Sequence, residues 1–280
     1  MTVRVITDSA SDIVGFDHAS LTVLPLTVAF GDTVYRDGVD LSSKRFFELL
    51  VESDEMPSTG AVAPGAFAEA FDRAHEAGED VVAVTLSSGL SGTWQSAMVA
   101  AEGRPWVHVV DSLNVCIGEQ ILVEYALMQV ERGLPAAEVA RLTQEARGDV
   151  HVLALLDTLE YLRRGGRISS TAAGVGALLA IKPVVAVRDG RVELVGKARG
   201  SRNGRNLLVQ LVREHPVDFR RPFALACSEG GERTLRKYVE DSHELWEGMV
   251  EGLPICSVGA SIGTHVGPGA IAVAFFSQGA

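Results

Sequence analysis

Four short stretches of this 280-residue chain gather the groups that can do chemistry. Thr7-Asp8-Ser9-Ala10-Ser11-Asp12 follows the first apolar run, and Met56-Pro57-Ser58-Thr59-Gly60 precedes a helical segment. Thr85 to Thr93 carries Ser87, Ser88 and Ser91, and Gly263 to Gly269 surrounds His265. Hydroxyls and glycines at strand-to-helix turns expose backbone N–H groups beside the positive end of a helix dipole, which suits a carboxylate or a phosphate. For any one such serine, Ser91 or Ser11 included, helix capping alone is the better explanation. Several hydroxyl loops on the ligand side of an α/β sheet shift the balance toward binding.

The spacing excludes some chemistries. There is no GxxxxGK[ST] loop, and the glycines of Ser88 to Thr93 lack GxGxxG spacing, which disfavours ATP and NAD. Gly89-Leu90-Ser91-Gly92 approaches a nucleophile elbow, but its second glycine would fall at Thr93. A serine hydrolase or acyltransferase using Ser91 and His265 stays open as an alternative, as does a regulator that binds a phosphate ester or nucleotide. His265, among glycines and a proline, reads either as a donor to an anionic head or as a hydrogen-bonded structural residue. No second His, Cys or carboxylate at ligand spacing accompanies it, so no metal and no cofactor are expected.

These residues must be positioned by regular elements. Short apolar runs alternate with longer segments of helical period, as in βα units feeding a mostly parallel sheet. Strands are expected at Arg4 to Thr7, Leu21 to Phe30, Val81 to Leu86 and Val107 to Asp111. Helices are expected at Ser43 to Glu52, Pro64 to Ala77, Ser91 to Ala101 and Ile117 to Arg132. A second series begins with Val152 to Leu156. It continues with strands at Pro183 to Val187, Arg191 to Ala198, Pro222 to Ala226, Pro254 to Ser257 and Ala270 to Phe276. Its helices fall at Asp157 to Arg163, Thr171 to Ile181, Asn203 to Glu214 and Glu232 to Gly248. Asp189-Gly190 between apolar runs signals a hairpin. The fold class is α/β, with two α/β domains at residues 1–149 and 150–280, a mostly parallel sheet in the first and a mixed sheet in the second. The ligand site is expected between them.

A formal net charge of −11 repels phosphate backbones, so nucleic acid is not an expected partner. Cys116, Cys227 and Cys256 are odd in number and lack CxxC spacing, which suits a reducing cytosol. The start at Met1 lacks the basic and long apolar pattern of a signal peptide. Leu253 to Ala280 has no Asp, Glu, Lys or Arg, but its glycines and prolines make it strand, turn and strand rather than a span. The expectation is a cytoplasmic protein with no membrane span.

In the second half, Leu159 to Ser169 reads as a helix end stopped by two glycines, followed by Arg167. The next helix, Ser170 to Ile181, is rich in Ala172, Ala173, Gly174, Gly176 and Ala177, which permits close packing or leaves room for a slender apolar ligand. Lys197, Arg199, Arg202 and Arg205 form either a solvated face or a docking patch for an acidic partner or phosphate.

Taken together, these motifs resemble the DegV family over nearly the full length. Asp8 to Asp12 is similar to its DSTSD-type opening and Thr85 to Ala97 to its SSxLSGTYxSA segment, with Trp94 at the tyrosine. Tyr161 to Ser169 resembles its YLxxGGRIS element, Leu178 to Val184 its LLxIKPV continuation, and the tail its THVGPG. Many relatives carry TSQP where this chain has Thr59-Gly60-Ala61-Val62. The resemblance implies a long-chain fatty acid in an apolar tunnel. Its carboxylate would be held by Ser58, Thr59, Ser87, Ser88 and Ser91, with His265 nearby. It further implies that the chain does no chemistry itself and presents that carboxylate to a fatty acid kinase catalytic subunit for phospholipid metabolism, through Arg167 and Arg199.

Overall fold

Strands that are apolar on both faces belong in the middle of a covered parallel sheet, and the first sheet is made of them. In the computed structural model, described over residues 2–13, 16–53, 55–169, 180–248 and 252–278, β1 (Thr2–Asp8), β2 (Leu21–Leu24), β6 (Glu79–Thr85) and β7 (Val107–Asp111) line up as β2-β1-β6-β7, all parallel. The helix pairs α2 (Pro64–Glu76) with α3 (Thr93–Ala101), and α4 (Ile117–Glu131) with α5 (Ala136–Ala146), pack on it.

The expected strand from Leu21 to Phe30 is in fact two. Pro25 lacks a backbone donor and ends the parallel ladder, and β3 (Thr27–Phe30) turns into a small antiparallel sheet, β4-β3-β5, with β4 (Thr33–Arg36) and β5 (Ser58–Gly60). Thr59 therefore sits on an edge strand, not in a loop. Helix α1 (Ser43–Glu52) supplies Phe46 and Phe47 to the small core beneath it.

The second sheet takes its strands from beyond residue 149: β8 (Val150–Leu155), β9 (Ile181–Arg188), β10 (Arg191–Arg199), β11 (Phe223–Cys227), β12 (Ile255–Ser257) and β13 (Ile271–Phe276). Their order is β10-β9-β8-β13-β11-β12, antiparallel except for the parallel pair β11–β12. The β9–β10 turn has positive φ at both Asp189 and Gly190, the type I′ geometry that Asp-Gly favours.

Helix α6 (Glu160–Arg164) precedes residues 170–179, which lie outside the described residues together with nearly all of the expected Thr171 to Ile181 helix and with Leu178 and Leu179 of the Leu178 to Val184 motif; Ile181 itself opens β9. Helix α7 (Ser201–Arg213) packs on β8, β9 and β10. The expected helix from Glu232 to Gly248 is interrupted at Ser242 into α8 (Glu232–Asp241) and α9 (His243–Trp246). The expected turn around Thr264 and His265 is a helix, α10 (Ala260–Val266), between β12 and β13.

Helix α4 is apolar around most of its circumference, as a helix buried on all sides must be. It packs against β1 and β6 of one sheet and against β8, β11 and β13 of the other. One continuous core joins Ile6 and Val82 to Ala224, Ala274 and Phe276. The two sheets are thus held across a shared helix, and their strand ends face a common seam.

Candidate functional site

The seam holds a cavity of about 170 Å³. Native interiors contain few voids larger than a water molecule, so a space this size is a place for a ligand. Its walls are apolar side chains from both halves, among them Leu26, Leu86 and Val115 from the first and Val152, Val185 and Val192 from the second. Polar groups concentrate on a few residues: Thr59, Ser91, Ser261, His265 and Arg167.

Each is brought there by a different element. The edge strand β5 pairs Thr59 with Val28. Its Oγ1 lies 3.0 Å from His265 Nε2, in the last turn of α10 and 206 residues away in sequence. The helix approaches so closely because Gly263 lies against the rings of Phe46 and Phe47, where a Cβ would come within 2.7 and 2.9 Å. The other face of the imidazole rests on Gly165, where a Cβ would collide with Nδ1.

Burial pulls the His265 pKa down to about 4, with the positive charge of Arg167 acting in the same direction. The ring is neutral at pH 7, so only one nitrogen donates. Nδ1 is buried without a partner, and an orphaned N–H is rarer in proteins than an orphaned acceptor. With the proton on Nε2, the ring donates to Thr59 Oγ1. That arrangement frees the Thr59 hydroxyl proton for a ligand acceptor.

Ser91 lies one residue before Gly92, the N-cap of α3. Its Oγ accepts from the Thr93 amide at 3.2 Å and is 3.0 Å from Thr93 Oγ1. Ser91 is therefore not the cap itself; it braces the first turn of α3 from just outside and lines the wall. Arg167 donates from Nη1 to Gly165 O at 2.6 Å and from Nε to Leu90 O at 3.2 Å. Among the described residues no carboxylate is recorded against it, so its charge is available to an anion at this end of the cavity.

The remaining expected ligands are not brought to the cavity wall. Ser87 is fully buried, and its hydroxyl donates to Gly190 O at 2.8 Å, tying the serine loop to the β9–β10 turn. Ser88 is exposed and its amide donates to Asp111 Oδ1. Ser58 alternates with Thr59 on β5 and is exposed. Arg199 ends β10, exposed, with its carbonyl accepting from Asn203 Nδ2.

The acids of the opening motif serve as internal scaffolding. Asp8 accepts from Leu86 N at 2.9 Å and Ala10 N at 3.1 Å, so it holds the strand end that leads into the serine loop. Asp12 accepts from Gly259 N at 2.9 Å and from Cys116 Sγ at 3.0 Å. Asp37 accepts from Ala260 N and Ser261 N, both at 3.1 Å, and from Ser9 Oγ at 3.0 Å. Gly259 at the N-cap of α10 has no side chain to offer, so carboxylates more than 200 residues distant cap the helix that carries His265. Burial raises Asp8 to about 7 and Asp12 to about 8, and pushes the carboxyl of Glu119 well up. Among the described residues, no group of three or more His, Cys, Asp or Glu could hold a metal ion, and no helix is long and apolar enough to cross a membrane.

Fold and cavity define an α/β protein with an apolar cavity between two sheets, and hydroxyl, imidazole and guanidinium groups gathered along its wall. The chain belongs to the DegV family: the model described as "Uncharacterised protein, DegV family" matches residues 2–278. A DegV domain-containing protein of Deinococcus radiodurans is 34% identical over 283 residues, 98% of each chain. One from Caldanaerobacter subterraneus subsp. tengcongensis is 30% identical over 284 residues, again 98% of each. Among solved structures, a fatty-acid-binding DegV family protein from Thermus thermophilus is 30% identical with a TM-score of 0.88, covering 99% of this chain and 100% of that one. DegV of Bacillus subtilis, a fatty acid binding protein, is 26% identical with a TM-score of 0.85, covering 99% and 100%.

Proposed function

We propose that this chain binds one long-chain fatty acid in the seam cavity, between two domains that meet near residue 150. On this reading Thr59 and Ser91 contact the carboxylate, and His265 orients Thr59. The observation that carries the reading is a largely apolar cavity whose wall brings Thr59 Oγ1 within 3.0 Å of a buried imidazole. The 30% identical Thermus thermophilus relative, described as binding fatty acid, supports it.

The energetics are adequate. Burying an acyl chain contributes about 0.8 kcal/mol per methylene, on the order of 10 kcal/mol for a dozen, before association losses. The tail supplies affinity and the head donors supply orientation. Native mass spectrometry of gently purified protein is expected to reveal a bound fatty acid. A lipid-free protein with no measurable affinity for palmitate would overturn the proposal.

We further infer that the chain acts in the cytoplasm without chemistry of its own, handing the carboxylate to the catalytic subunit of a fatty acid kinase. Arg167 at the cavity and Arg199 on the exposed end of β10 are the docking residues in this reading. Arg199→Ala is expected to leave palmitate affinity unchanged and to slow kinase-dependent acyl phosphate formation. A serine hydrolase draws no support from the geometry, since His265 Nε2 faces Thr59 and Ser91 Oγ faces Thr93. Fluorophosphonate labelling of Ser91 would revive it.

A further inference from the structure

Helix α10 turns a single face to the cavity, and that face carries Ser261, Ile262, His265 and Val266. Ser261 is 2% exposed, and its Oγ is buried with no hydrogen-bond partner. A buried hydroxyl left unpaired is costly, and native proteins rarely retain one. The usual local escape is donation to a carbonyl three or four residues back. Thr264 takes it, donating to Ala260 O at 2.9 Å. Ser261 makes no such bond; Val258 O, the carbonyl three residues back, accepts from Ser43 Oγ at 2.6 Å instead. The residue four back, Ser257, lies in β12, outside the helix.

Ser261 and His265 are four residues apart on one helix, so their side chains are neighbours, with Cβ atoms about 5–6 Å apart. A group lying between them is within reach of both. A carboxylate has two oxygens, and Thr59 with its imidazole partner serves one of them.

We propose that Ser261 is a further head-group ligand, donating its hydroxyl to the second oxygen of the bound carboxylate. The proposal rests on the fatty-acid reading above. It assigns to α10 both the residue that orients Thr59 and a further donor beside Thr59 and Ser91. It also accounts for a buried, unpaired hydroxyl on the cavity wall. Discrimination of an acid from an alcohol of the same chain length then depends on Ser261.

The test compares palmitic acid with hexadecanol, by calorimetry or displacement of a fluorescent acyl probe, in the wild type and in Ser261→Ala. Loss of one hydrogen bond to a charged acceptor is expected to weaken palmitate binding about tenfold or more while hexadecanol changes little. The ligand-free Tm of the variant should be unchanged or raised, because an orphaned polar group has been removed. Palmitate binding that is unaltered or tighter in Ser261→Ala overturns the proposal, as does an equal loss for acid and alcohol. Failure of the wild type to bind palmitate at all is a separate result, and it overturns the fatty-acid reading itself.

Discussion

Thr59→Val removes one hydroxyl and almost nothing else, so it isolates the head interaction from the fold. Valine keeps the β-branched shape that an edge strand favours, and the backbone pairing of β5 with β3 is untouched. Two bonds are lost in the complex: the donation from Thr59 to the carboxylate and the contact with His265 Nε2 at 3.0 Å. A hydrogen bond to a charged group contributes about 1.5–3 kcal/mol. With about 1.4 kcal/mol per decade of affinity, palmitate should bind roughly 10- to 150-fold more weakly. The tail contacts remain, so hexadecanol should lose far less. Calorimetric titration with the two ligands separates these effects, and a urea melt of the ligand-free variant controls for stability. Thr59→Val with wild-type affinity for palmitate would refute the assignment of this hydroxyl as donor, and with it the tautomer argued for His265.

Gly165→Ala should act on the same pair from the other side: the new methyl, within 2.8 Å of His265 Cε1, pushes the ring off Thr59 and lowers palmitate affinity several-fold, read in the same titration. Asp37→Ala strips the cap from α10, leaving the Ala260 and Ser261 amides unpaired. At about 1–3 kcal/mol for a buried orphan, the urea midpoint should fall visibly, whereas a surface aspartate would leave it unmoved. Burial holds Asp12 protonated up to about pH 8 against an ordinary value of 3.8. The folded state therefore binds a proton that the unfolded state releases, and stability from this group is full below pH 4 and lost as pH rises through 8. Asp8 behaves alike up to about 7. Asp12→Asn mimics the neutral carboxyl, so the decline in urea midpoint between pH 5 and 8 should be shallower than in the wild type.

Much of the architecture was legible because its signals are local. The Asp189-Gly190 hairpin, the proline opening α2 and the apolar central strands of the parallel sheet all follow from the chemistry of adjacent residues. Helix α5 was missed, because Ala136, Val139, Ala140 and Thr143 after Pro135 are small and make only a faint apolar stripe. The β2–β3 break was hidden because Val23 to Phe30 stays apolar across Pro25, and only the change of partner sheet reveals it. Of the expected ligands, Thr59, Ser91 and His265 reach one cavity wall, although the turns read around Thr59 and His265 are a strand and a helix. The burial of Ser87 was not legible, since its partner Gly190 lies 103 residues away. Ser58 was taken with its neighbour because strand alternation had not been assigned to a segment read as a loop. Ser261 was not singled out, since its unpaired, buried hydroxyl on the cavity wall is visible only in three dimensions.

The caps on α10 have a mechanical consequence. The chain enters this helix from β12 and leaves it into β13, both in the second sheet, yet the helix start is fastened by Asp12, Asp37 and Ser43 and its flank rests on Phe46 and Phe47. A stitch of this kind prevents the two halves from swinging apart like a clamshell without first unpicking several buried bonds. On the fatty-acid reading proposed above, opening the cavity by such a swing would cost those bonds, and exchange of the ligand would be slow even at modest affinity.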